Sequence, residues 1–248
     1  MRSSSGMVVA RSQACTSGKR MVGVIFDLGG VVLNSPFDAI AQYARRQKLD
    51  RSAINRIILS SGENGAFAQL ERGELTVDEF ALPFQQDCVS AGFEHDALDG
   101  SHLISQIIEA CTPRPLMLHT LQLLQDEPAI RTAALTNNFI AQHGAFVDAA
   151  NQIRPLFDVF VESAVEHIRK PDPAIYELTC KRLEIEPEHC IFLDDIGQNL
   201  KPARAMGMRT IKCAFDDTSG ADAIGALARL LGGNVEQALL HSLPRARL

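Results

Sequence analysis

Five short apolar runs punctuate the chain, at residues 22–27, 131–136, 157–162, 190–194 and 209–213, each closing on polar or small residues. Continuous apolar runs of this length predict strands of a parallel sheet, buried on both faces. Between the later runs apolar positions recur at helical spacing, as over residues 173–183, where Asp172 supplies a cap and Pro173 the first turn. Strand and helix in alternation predict an α/β fold, a doubly wound, mainly parallel, Rossmann-like sheet.

One interval breaks the rhythm. Residues 28–130 separate the first run from the second, too long a stretch for a single crossover helix. Its patterns are helical over 37–47, 52–59, 65–72, 76–90 and 102–111. Residues 36–113 therefore read as an inserted α-helical cap, and 21–35 with 114–248 as the core domain, re-entered through a helix at 114–126. Residues 1–20 are rich in Ser and Arg and lack acids; they read as a disordered N-terminal extension, with a transit peptide as the other reading.

Charge narrows the partners. The net charge is -6, and because Arg2, Arg11, Lys19 and Arg20 all lie in the first twenty residues, the remainder carries -10. A body this acidic is ill suited to nucleic acid, whose binding depends on neutralising phosphates. The six cysteines are scattered without a C-x-x-C pair, which fits a reducing compartment and no disulfide framework. No apolar run is long enough for a membrane span. The expected location is cytoplasmic, with the peroxisome as the alternative that the ending Ala246-Arg247-Leu248 raises. A homodimer is left open.

Open α/β sheets bind ligands beyond the carboxyl ends of their strands. The residues there are Asp27, Thr136-Asn137-Asn138, Glu162-Ser163 and Asp194-Asp195. Asp27 closes an apolar strand, so a metal or hydrogen bonds must offset its burial; Gly29 and Gly30 let the following backbone turn close to a ligand. A lone strand-end Asp is also an ordinary turn former. The adjacent carboxylates of Asp194 and Asp195 shift that reading, because they repel each other unless a cation lies between the strands. With Asp27 they make an all-oxygen donor set suited to Mg²⁺. Thr136 and Asn137 offer hydroxyl, amide and backbone N–H donors to phosphate oxygens. Lys170 lies in Arg169-Lys170-Pro171-Asp172-Pro173, where two prolines stiffen the loop and fix where the ammonium points. Taken singly, the first pair reads as a turn and the lysine as surface charge.

In this order along the chain, the four elements resemble the motifs of the haloacid dehalogenase-like (HAD) hydrolase superfamily. The resemblance implies that Asp27 is a nucleophile attacking phosphorus, giving an aspartyl-phosphate that water hydrolyses. It implies Thr136 as the phosphate-binding hydroxyl and Lys170 as the charge-pairing lysine, with Asn137 and Asn199 among the substrate contacts. Mg²⁺ would be held by Asp27, Asp195 and the Gly29 carbonyl, with Asp194 orienting Lys170 or a metal-bound water. Residues 193–208 and the strings Leu135-Thr136-Asn137 and Val161-Glu162-Ser163 are similar to the phosphatase domain of soluble epoxide hydrolases. Residues 27–31 and 61–65 look more like the corresponding domain of acyl-CoA dehydrogenase family member 10. The expected function is Mg²⁺-dependent hydrolysis of small organic phosphate monoesters, lipid or sugar phosphates.

One departure qualifies this. Family phosphatases carry a second Asp two residues after the nucleophile as general acid and base, and here Gly29 stands there. Such catalysis is worth ~10²–10⁴-fold, so turnover should be slow, or the leaving group should need little protonation. A Gly29→Asp change should then accelerate it. The alternatives are a phospho-ligand binding or regulatory module, and a haloacid dehalogenase, which would leave Asp194-Asp195 unexplained. A phosphonate hydrolase would need a cap lysine, and Lys48, the only lysine in 36–113, sits in a polar cluster. The cap's net -6 disfavours highly anionic substrates.

Overall fold

A computed structural model describes residues 21–94, 98–141 and 144–244. Five parallel strands lie in the order β3-β2-β1-β4-β5: β1 (Val22–Phe26), β2 (Ile130–Thr136), β3 (Val159–Glu162), β4 (Cys190–Asp194) and β5 (Arg209–Lys212). The apolar runs become strands because helices cover both faces. Val24 and Phe26 of β1 join Ile191 and Leu193 of β4 in one cluster. Packed on it are Met117 and Leu121 of α6 (Pro115–Gln125) and Ile224 and Leu227 of α11 (Ala221–Leu231). Ile25, Leu135 and Phe192 enter the opposite cluster. There they meet Ile175 and Tyr176 of α9 (Pro173–Leu183) and Leu200 of α10 (Gly197–Ala205). The period of two along each strand thus serves two cores at once.

From the central β1 the chain runs to β2 and β3 on one side, then crosses to β4 and β5 on the other. Phe26 pairs with Ala134 and with Leu193, so the residue after β1 comes level with Asp194 at the carboxyl edge. Ligands bind such sheets at this switch in strand order.

Between β1 and β2 lie α1 (Pro36–Arg46), α2 (Ala53–Ser61), α3 (Ala66–Glu71), α4 (Ala81–Ser90) and α5 (Gly100–Ala110), before α6 returns to the sheet. Ser35 accepts a hydrogen bond from Phe37 N, and Pro36 occupies the first turn, which fixes where α1 begins. The apolar faces of these helices meet in a third cluster that includes Ile40, Tyr43, Ile57, Leu70, Phe84 and Leu103. Phe139, just after β2, closes against it, ahead of α7 (Ala145–Ile153) and, beyond β3, α8 (Ser163–Glu166).

The helix expected over 76–90 starts later, at Ala81. Thr76 and Glu79 bond each other reciprocally, Thr76 N to Glu79 Oε2 at 2.9 Å and Glu79 N to Thr76 Oγ1 at 3.2 Å, closing a separate turn. Pro83 has no N–H to give the carbonyl of Glu79, so turn and helix do not fuse. The third strand starts at Val159 rather than at 157, because a short 3-10 helix, Arg154–Leu156, precedes it. Among the described residues no helix is long and apolar enough to cross a membrane. The expectations for residues 1–20 and for Ala246-Arg247-Leu248 lie outside the described residues.

Candidate active site

The carboxyl ends of three strands, β1, β2 and β4, converge on one ammonium group. Lys170 is 1% exposed, and its Nζ donates to Asp27 Oδ1 at 2.8 Å, Asp194 Oδ2 at 2.8 Å and the Leu135 carbonyl at 3.0 Å. All three donors of the ammonium are used, so its position is fixed. Burial opposes its charge, but Asp194 and Asp27 outweigh that and raise its pKa, so it stays protonated. Asp27 follows β1 and is itself buried; its Oδ1 also accepts from Leu28 N at 2.7 Å. Burial raises the Asp27 pKa well above the usual carboxylate range, Lys170 lowers it, and Asp194 and Asp195 raise it further.

Asp194 is held from every side. Its Oδ1 accepts from Ile196 N at 2.6 Å, and Asn199 Nδ2 reaches both oxygens, at 3.2 and 3.1 Å. Asp195 is the opposite case. Both its carboxylate oxygens are buried without a hydrogen-bond partner, and burial, then the charge of Asp194, pushes its pKa up to about 6. Oxygens of Asp27, Asp194 and Asp195 come within 4.8 Å of one another. Three carboxylates facing one lysine leave an excess of negative charge, and the two orphaned oxygens suit a cation as their partner. The set is all oxygen, the donor type that Mg²⁺ takes. Among the described residues the Gly29 carbonyl accepts no backbone hydrogen bond, so it too is available.

Gly30 is why the carboxylate can come so near. Its φ is +78°, and an added Cβ there would collide with Asp195 Oδ2. Gly29 is a different matter, because a Cβ there would lie 3.2 Å from Cδ of Pro36, tighter than an ordinary contact.

Thr136, at the end of β2, is buried, and its hydroxyl has one long bond, 3.4 Å to the Asn137 carbonyl, so it can turn to a ligand. Asn137 and Asn199, expected on substrate, have their amides committed elsewhere. Asn137 Oδ1 accepts from Lys170 N at 2.8 Å and its Nδ2 donates to the Lys170 carbonyl at 3.0 Å, a two-point clamp on the lysine's backbone. Asn199 holds Asp194. The clamp joins residues 33 positions apart, and no local pattern announces it. The sequence does not single out the partners of Arg169, whereas the Gly29-Gly30 doublet does mark Gly30 as a point of close approach.

A buried carboxylate on a fixed lysine thus stands beside a cluster of acidic oxygens at the carboxyl edge of the sheet. A family model of haloacid dehalogenase-like hydrolases matches residues 21–207. The chain belongs to this family. Acyl-CoA dehydrogenase family member 10 of Mus musculus is 31% identical over 217 residues, which span 88% of this chain and 20% of that protein. Bifunctional epoxide hydrolase 2 of Sus scrofa is 32% identical over 203 residues, 79% of this chain and 37% of that protein. The HAD-like chain thus corresponds to a part only of these relatives. D-ribitol-5-phosphate phosphatase of Bacteroides thetaiotaomicron is 23% identical over 203 residues, 80% of this chain and 93% of that protein. Among solved structures, a HAD-family enzyme of Bacteroides thetaiotaomicron in complex with magnesium and inorganic phosphate shares the fold. Its TM-score is 0.55 at 18% identity, covering 77% of this chain and 93% of that one. The protein is a HAD-like hydrolase with a phosphatase among its relatives.

Proposed function

We propose that this HAD-like hydrolase is an Mg²⁺-dependent phosphatase acting on small organic phosphate monoesters, lipid or sugar phosphates, through an aspartyl-phosphate on Asp27. The observation that carries the reading is the shared lysine: Lys170 Nζ bridges Asp27 and Asp194 while Asp195 stands beside them with both oxygens unbonded. The name of the relative D-ribitol-5-phosphate phosphatase supports the phosphate-ester substrate.

Asp27 attacks phosphorus, an oxygen–phosphorus bond forms as the bond to the leaving oxygen breaks, and water then cleaves the acyl phosphate, freeing Asp27 and inorganic phosphate. Lys170 favours the ionised form of Asp27, holds it in place and lies close enough to balance charge gathering on the phosphoryl oxygens. The Thr136 hydroxyl, with little other commitment, donates to one of those oxygens. Bound through Asp27, Asp195 and the Gly29 carbonyl, with Asp194 beside them, Mg²⁺ would screen the phosphate from the attacking carboxylate. Gly29 offers no proton to the leaving oxygen, so that proton comes from water or from a substrate hydroxyl, and turnover is slow. The same glycine favours a second reading, a phospho-ligand binding or regulatory module that is phosphorylated or occupied but hardly turns over.

Phosphate release should be followed with Mg²⁺ over sugar phosphates, lipid phosphates and an acyl phosphate, for wild type and Asp27→Asn. The expected result is release that Asp27→Asn cuts by about 10³ or more and that EDTA abolishes. Equal release from wild type and variant removes the enzymatic reading. A phosphoryl label retained by wild type alone, without release, favours the module.

A further inference from the structure

Arg169 immediately precedes the lysine on which the site converges, yet it points to the helical segment. Its Nε donates to Glu71 Oε2 at 2.7 Å and its Nη1 to Glu63 Oε1 at 2.9 Å. Glu71 ends α3, and Asn137 Nδ2, the same amide that bonds the Lys170 carbonyl, lies 3.4 Å from Glu71 Oε2. The contact is close on both sides of this pair. His167 Nδ1 meets the Arg72 carbonyl at 2.9 Å, and Gly73, at φ +67°, comes so near Ala164 O that a Cβ would collide with it. Arg72 is turned the other way, onto Glu63 and Glu74. The end of α3 is thereby fastened to both elements that hold the backbone of Lys170, the Arg169 loop and Asn137.

We propose that Glu71 and Arg169 are positioning residues for Lys170: their ion pair, with Asn137 between them and the lysine, keeps Nζ in its bridging place only while the helical segment is docked on the sheet. The pair is 21–22% exposed, enough shielding for a bidentate-capable arginine to hold one geometry rather than wander as a surface pair does. Docking of the cap and readiness of the nucleophile become one event. Burial raises the pKa of Glu71, and Arg169 offsets this only in part, so the net shift is upward. The proposal rests on Lys170 serving Asp27 as described above.

The test is a double-mutant cycle on the Mg²⁺-loaded full chain, using an aryl phosphate whose leaving group needs no proton, so that residual turnover is measurable. Glu71→Gln and Arg169→Lys should each lower kcat roughly tenfold with KM little changed. The exchanged pair Glu71→Arg with Arg169→Glu should recover most of the loss. In a Lys170→Ala background, Glu71→Gln should cost nothing further. A tenfold loss that persists in that background shows an independent structural role and overturns the proposal, as does full kcat in both single variants. If instead Lys170→Ala itself turns over like wild type, the parent reading of the site fails rather than the coupling alone.

Discussion

Asp195 shows what a single residue here demands. Its two oxygens are buried and unbonded, and its pKa stands at about 6, above the ~3.9 of an unfolded chain. A raised carboxylate pKa means that the folded state binds the extra proton, so this group lowers stability as pH climbs from about 4 to about 6 and keeps it lowered above. Mg²⁺ should remove that penalty. In thermal melts at pH 7, Mg²⁺ should raise Tm of wild type, while Asp195→Asn should melt higher than wild type without the ion and barely respond to it. Equal shifts in both proteins would sink the cation assignment. Asp27, Lys170 and Asp195 were visible in sequence because strand ends and proline-flanked loops display their residues. The amides of Asn137 and Asn199 were visible too, but not their partners: hydrogen bonds to Lys170 and Asp194 are set by folding, and either amide would suit a substrate equally well on paper.

Among elements, α11 depends on one side chain ahead of it. Asp217 Oδ1 accepts from Gly220 N at 3.0 Å and Ala221 N at 3.1 Å, and Oδ2 from Asp222 N at 2.8 Å. Burial raises its pKa, but these bonds and that of Ser219 outweigh it, so the net shift is downward. A depressed pKa adds stability above the unfolded value of ~3.9 and loses it as pH falls through the lower folded value. Asp217→Ala should therefore cost about 1 kcal/mol in urea unfolding at pH 7, a gap that closes in strong acid. A gap unchanged by acid would show that charge has no part in the cap. The strands were legible from their apolar runs, since central parallel strands have nothing polar to confuse the pattern. The start of α4 was not, because the capping pair Thr76–Glu79 and Pro83 look like one helix until the missing N–H is counted.

At the scale of the whole molecule, the buried apolar side chains among the described residues fall into two clusters on the sheet and one among the helices that follow β1. Leu103 belongs to the last and is fully buried. Leu103→Ala should cost about 2–5 kcal/mol while leaving the Mg²⁺-dependent rise in Tm intact, because no metal donor lies in that cluster. Loss of the Mg²⁺ response would mean that the helices shape the acid site directly. The periodicity of residues 36–113 forecast helices, yet not how they meet the sheet, since Glu71 and Arg169 are 98 positions apart and a charge count does not pair charges.

Pro36 bears on what position 29 can hold. A carboxylate is not merely absent at position 29; the ring of Pro36 crowds the place where its Cβ would stand. Gly29→Asp alone should therefore gain little, against the expectation from sequence, whereas Gly29→Asp with Pro36→Ala should raise kcat beyond the product of the two single effects. If the single change already restores fast turnover, the two positions are independent. Otherwise the two positions are coupled: an acid at 29 serves only where the ring at 36 has given it room, although the two residues share no hydrogen bond.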